Sequence, residues 1–104
     1  MSILLVGADR LGNITDKLRE SGFSSIEHIS GRKSNDKKIK IPEKTDLILV
    51  LVDYVGHGLT EFIKRESKRT GIKIAFSKRS WTHMEKTIQG YIEQVSEVKK
   101  GRYN

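Results

Sequence analysis

The sequence predicts a small open α/β domain: four parallel strands flanked by helices in the spatial order 2-1-3-4, half of a Rossmann-like or flavodoxin-like sheet. Three observations carry this prediction. Apolar runs of strand length alternate with stretches of helical period. Short links that contain a helix favour parallel, right-handed crossovers. The most continuous apolar runs, Ser2–Val6 and Leu47–Val52, belong at the centre of a sheet covered on both faces. A chain of 104 residues holds one domain, expected over 1–100, with a frayed tail at 101–104.

The elements follow in order. Ser2–Val6 reads as the first strand, closed by Gly7. Asn13-Ile14-Thr15-Asp16 has the form of a capping box, and Leu11, Ile14 and Leu18 share one helical face. Ser21-Gly22 ends that helix, and Phe23–Ser30 reads as the second strand, with Ile26 and Ile29 buried. Residues 31–44 form a basic loop of six cations and two acids. Within it, Lys38-Ile39-Lys40-Ile41 alternates like a short edge strand that Pro42 would stop.

Leu47–Val52 is the third strand, and Gly58–Arg69 the next helix, with Leu59, Phe62 and Ile63 facing inward. Ile72–Phe76 is the fourth strand. Thr82-His83-Met84-Glu85 reads as a second capping box. It opens a long helix whose stripe is Met84, Ile88, Tyr91, Ile92, Val95 and Val98.

Composition bounds the function. Twenty Lys and Arg against 13 Asp and Glu give a net charge of +7, and cysteine is absent. Disulfides and thiolate chemistry are therefore excluded. No apolar run reaches the length of a membrane span, and the N-terminal residues lack the basic start of a signal peptide. The expectation is a soluble cytoplasmic domain without a membrane partner. His28, His57 and His83 lie far apart in sequence, so neither a metal nor a cofactor is expected.

In open α/β sheets, ligands bind beyond the carboxyl ends of the strands, where the strand order reverses. The predicted order gathers there Gly7, Asp9 and Arg10, then Arg32 and Lys33, then Asp53, Tyr54 and His57, then Lys78, Arg79, Ser80 and Trp81. Gly7, Arg10, Arg32, Lys33, Lys78, Arg79 and Ser80 suit an anion, with Arg10 and Arg79 as the principal donors. Asp9, Asp53, Tyr54, His57 and Trp81 are candidates for ligand recognition, Trp81 or Tyr54 by stacking. Asp53 could orient a titrating His57. Gly7-Ala8-Asp9-Arg10-Leu11-Gly12 falls short of a dinucleotide fingerprint, because Asp9 holds the middle glycine position.

A second cluster comprises Lys64, Arg65, Lys68, Arg69 and Lys73. Like charges four apart on a helix repel, and a nucleic-acid backbone would relieve them.

These residues also carry a resemblance. Val6-Gly7-Ala8-Asp9-Arg10, Gly31-Arg32, Asp46, Asp53, Val55, His57, Lys68-Arg69-Thr70-Gly71-Ile72-Lys73 and Arg79-Ser80 keep an order and spacing. In this the chain resembles a bacterial domain-of-unknown-function family numbered 2325, from about Ser2 to Ile88. The resemblance implies a small Rossmann-like domain and no particular reaction. Similar proteins often have cysteine near the positions of Tyr54 and Ser67, and glycine at that of Ala8. A cysteine-based role cannot transfer to this chain.

The first functional expectation is a basic binding module for phosphate-bearing partners, nucleic acid included, with no catalysis implied. One alternative is a sensor or enzyme taking a nucleotide or other phosphorylated small molecule at the carboxyl edge. Another is a homodimeric scaffold. Whether the chain is an enzyme stays open at this stage.

Overall fold

The computed structural model describes residues 1–31 and 39–101, with side chains to Val95. Strands β1 (Ser2–Val6), β2 (Ser25–Ile29), β3 (Leu47–Leu51) and β4 (Lys73–Ser77) form one sheet in the order β2-β1-β3-β4. All three pairings are parallel. Helices α1 (Ile14–Glu20), α2 (His57–Thr70) and α3 (Trp81–Gly101) flank it. The predicted topology is the observed one.

Alternation along the two central strands divides the core into two layers. Ile3, Leu5, Leu47, Leu49 and Leu51 pack with Ile14 and Leu18 of α1 and Met84 and Ile88 of α3. Leu4, Val6, Ile48 and Val50 pack with Leu59 and Ile63 of α2. Every residue of β3 is fully buried, as a strand covered on both faces must be.

Asp46 aligns the central strands. Its carboxylate accepts the Ser2 N–H at 2.7 Å, and its own N–H donates to Ser2 O at 2.9 Å. The Tyr91 hydroxyl then ties α3 to Asp46 O at 3.3 Å.

Several local expectations need correction. The capping box at Asn13 does not form: Asn13 has φ −79° and ψ 0°, not the extended backbone a cap requires, and its side chain makes no cap bond. The box at Thr82 also fails. The Ser80 carbonyl accepts both His83 and Met84 N–H, so α3 begins at Trp81 and Thr82 is already helical. Helix α2 starts a residue earlier than expected, at His57, and β4 lies one residue later, at Lys73–Ser77.

Val52 leaves β3 for a 3-10 turn over Val52–Tyr54, and it is exposed. In β2, Ile26 and Ile29 are only half-buried because that strand lies at the sheet edge, while Phe23, just before it, is fully buried. Ile39 and Ile41 form no strand; they pack instead against the α2 layer. The remainder of the expected edge strand, and residues 32–38 generally, lie outside the described residues. Helix α3 runs to Gly101, and the rest of the expected tail, residues 102–104, lies outside the described part.

Candidate binding sites at the sheet edges

The carboxyl ends of β1 and β3 meet where the strand order reverses, and a cleft opens there. It measures about 380 Å³ and is lined by Ala8, Asp9, Gly31, Asp53, Tyr54, Val55 and Gly56. A shallower recess of about 290 Å³ adjoins it, lined by Ala8, Asp9, Arg10, Tyr54 and Arg79. Gly7 turns the chain at φ +116°, with Leu51 O only 2.9 Å from where a Cβ would sit. No other residue fits that turn. Ala8 follows at φ +68°, a left-handed conformation that costs an alanine on the order of 1 kcal/mol.

The amides of this turn are already engaged. Gly7 N–H donates to Ile29 O at 2.8 Å, and Ala8 N–H to Tyr54 O at 3.1 Å. The turn's carbonyls converge on His28, whose Nε2 lies 2.9 Å from both Gly7 O and Ala8 O. Both partners only accept, so Nε2 carries the proton. His28 thus locks β2 to the β1 turn, a role its isolated position in the sequence did not signal.

Arg79 is likewise committed. Its Nε and Nη2 donate to Arg10 O at 3.2 and 2.6 Å, and its N–H donates to Asp53 Oδ1 at 3.1 Å. One residue therefore joins the loops after β1, β3 and β4. Asp9 accepts the Ser30 hydroxyl at 3.1 Å.

The other expected edge residues are dispersed. His57 is exposed at the start of α2, outside the cleft lining, and makes no hydrogen bond to Asp53. Tyr54 lines both cavities and is 54% exposed. Trp81 instead packs on the core under Lys17, whose Nζ lies 5.7 Å from the ring centroid. Lys78 and Ser80 are exposed but line neither cavity. Arg32 and Lys33 lie outside the described residues.

The uncharged feature of the cleft is its helix end. Gly56 caps α2 with an extended backbone and no side-chain bond, so the first amides of a 14-residue helix lack a side-chain partner there. Among the described residues, no three His, Asp or Glu side chains converge as metal ligands would.

The second cluster resolves into a groove. Glu61, Lys64, Arg65, Ser67, Lys68, Ile74 and Phe76 line about 450 Å³ between α2 and β4. Positions 61, 64, 65 and 68 fall on one helical face, which explains why these cations gather. Lys64 Nζ lies 3.3 Å from Glu61 and 5.5 Å from the Phe76 centroid. Arg65 lies 6.0 Å from the Phe62 centroid.

Arg69 and Lys73 do not join the groove. Arg69 holds Glu66 with two bonds, at 3.1 and 2.8 Å. That hydrogen bonding, with the charges of Arg69 and Arg65, lowers the Glu66 carboxyl below its ordinary value against a smaller opposing effect of burial. Lys73 lines a separate recess with Lys86 and Tyr91, toward α3. The groove and the carboxyl-edge cleft share no lining residue. Phe76 is the residue sequence reasoning missed. It is 40% exposed on an edge strand, a placement that only the strand order and the position of α2 create.

Fold and sites together define a small Rossmann-like α/β domain with a switch-point cleft and a basic side groove. The chain belongs to the family described as "Uncharacterized protein conserved in bacteria (DUF2325)", which matches residues 2–91. No curated protein and no solved structure matches it. No helix among the described residues is long and apolar enough to cross a membrane.

Proposed function

We propose that this protein is a cytoplasmic binding module for phosphate-bearing partners, nucleic acid among them, acting without catalysis. The observation that supports this reading is the groove itself: Lys64, Arg65 and Lys68 share it with a single acid, Glu61. Cations on one helical face repel one another, and a polyanion relieves that repulsion while releasing its counterions. The net charge of +7 adds a general attraction at longer range.

The test is a salt titration of oligonucleotide binding by fluorescence anisotropy. The triple variant Lys64→Gln, Arg65→Gln, Lys68→Gln should bind more weakly. Its log–log salt slope should be shallower by about 2, at roughly 0.7 per lost contact on a single strand. An unchanged affinity and slope in the folded variant would remove the groove from the interaction.

A second reading has its own observation. The α2 end at Gly56 opens into the carboxyl-edge cleft without a side-chain cap, an arrangement that suits the phosphate of a nucleotide. Arg10 would supply the counter-charge from the adjoining recess. Calorimetry with nucleotides on the native protein and on Arg10→Gln tests it. Absence of binding to the native protein, or equal binding by both proteins, counts against the Arg10 site.

A further inference from the structure

We propose that the α2–β4 groove is a site for single-stranded nucleic acid, with Phe76 as the surface on which a base stacks. This rests on the reading of the groove as a phosphate-binding surface, and adds to it the strandedness of the partner and an aromatic contact. Charge alone does not distinguish a duplex from a single strand, because both present phosphates. The distinguishing feature is an aromatic ring, 40% exposed, among three cations. Sites for single strands combine a positive groove with rings that receive unpaired bases. A duplex keeps its base faces stacked inside and has none to offer Phe76.

The geometry has the necessary parts. Phe76 and Ile74 lie two apart on β4, on the same side of the sheet as α2, and give the groove an apolar floor. Lys64, Arg65 and Lys68 stand along its helical wall. Among the described residues, Arg65 and Lys68 make no ion pair, so their charges are available to phosphates. Lys64 now places its ammonium over the ring, on a side chain that is 53% exposed. A stacking base takes that position, and the flexible lysine stem carries the ammonium to the neighbouring phosphate. The β4 edge beyond Phe76 is unpaired within the described sheet, which leaves room for the strand to continue.

The experiment compares single-stranded and duplex oligonucleotides of equal length against the full chain by fluorescence anisotropy. Phe76→Leu keeps an apolar side chain beside Ile74 and removes the ring; Phe76→Trp restores a larger one. Circular dichroism confirms that each variant is folded. Phe76→Leu should weaken single-strand binding by about 5- to 150-fold, the range for one lost base–aromatic stack, and leave weak duplex binding unchanged. Phe76→Trp should retain single-strand affinity.

If Phe76→Leu changes nothing while the triple glutamine variant binds poorly, the phosphate reading stands and the stacking site falls. If neither substitution matters, both fall. A duplex bound as tightly as a single strand would overturn the proposal. So would an acidic peptide, polyglutamate, that binds as tightly as the oligonucleotide.

Discussion

Replacing Gly31 with alanine tests how closely the carboxyl-edge loops approach one another. A methyl group at Gly31 would collide with the Tyr54 carbonyl oxygen. It would also stand 2.9 Å from that carbonyl carbon and 3.1 Å from Val55 Cα. These obstacles are backbone atoms, so no rotamer change removes them. The same Tyr54 oxygen accepts the Ala8 N–H at 3.1 Å, and displacing it loosens the β1 turn as well. Forced overpacking costs about 1–3 kcal/mol, and a lost hydrogen bond about 1 kcal/mol more, for a sum of about 2–4 kcal/mol.

The reduced freedom of alanine in the unfolded chain offsets about 0.4–1 kcal/mol of this, which favours the lower half of the range. At roughly 2.1 cal/mol/K per residue, a chain of 104 residues unfolds with an entropy of about 220 cal/mol/K. The midpoint should therefore fall by about 9–18 °C before the offset, and by on the order of 10 °C after it. Thermal denaturation followed by circular dichroism is the assay. Gly56→Ala is the control, since a Cβ there meets nothing within 4 Å and φ is an ordinary −77°, so that its cost is limited to about 0.5–1 kcal/mol for alanine at an N-cap. A Gly31→Ala midpoint no lower than that of Gly56→Ala would refute the close approach.

Three further outcomes are expected. Glu61→Gln removes the acid that holds Lys64 and should tighten oligonucleotide binding by about two- to fivefold, the equivalent of one exposed ion pair; weaker binding would contradict the groove's orientation toward a polyanion. His28→Ala deprives Gly7 O and Ala8 O of their shared donor and should cost about 1–2 kcal/mol, read as a midpoint about 5–9 °C lower; an unchanged midpoint would mean that the bond is idle. Burial, and then the charge of Asp46, raise the Tyr91 hydroxyl above its ordinary value. Its contribution to stability is therefore complete below the unfolded tyrosine's pKa of about 10 and is lost as pH rises from there through the raised folded value. Tyr91→Phe should lack that part of the alkaline loss, and identical alkaline profiles would exclude it.

The parts of the fold that were legible in sequence are those set by burial. Leu47-Ile48-Leu49-Val50-Leu51 could only be a strand covered on both faces, and the lengths of the links made its neighbours parallel. Capping was less legible, because it depends on backbone angles that residue types only bias. Asn13 has the right side chain in the wrong conformation. The cation-rich face of α2 could be seen in part, since helical spacing alone brings Lys64, Arg65 and Lys68 together. Its aromatic partner could not, because Phe76 reaches that face only through strand order. Arg79 carries a contact that its residue type does not announce. An arginine at a strand end reads as a ligand donor; its guanidinium also donates to a carbonyl 69 residues away in sequence. A long-range contact of that kind leaves no periodic trace.

A residue-by-residue map of oligonucleotide binding tests the central claim most directly. Backbone amide chemical shifts of the full chain would be followed by nuclear magnetic resonance as a short single strand is added at moderate salt. The groove account predicts that the largest changes fall on Glu61–Lys68 and Ile74–Phe76, with little change at Ala8–Arg10 and Tyr54–Gly56. Dominant changes around Ala8, Tyr54 and Gly56, with the α2–β4 groove silent, would contradict it.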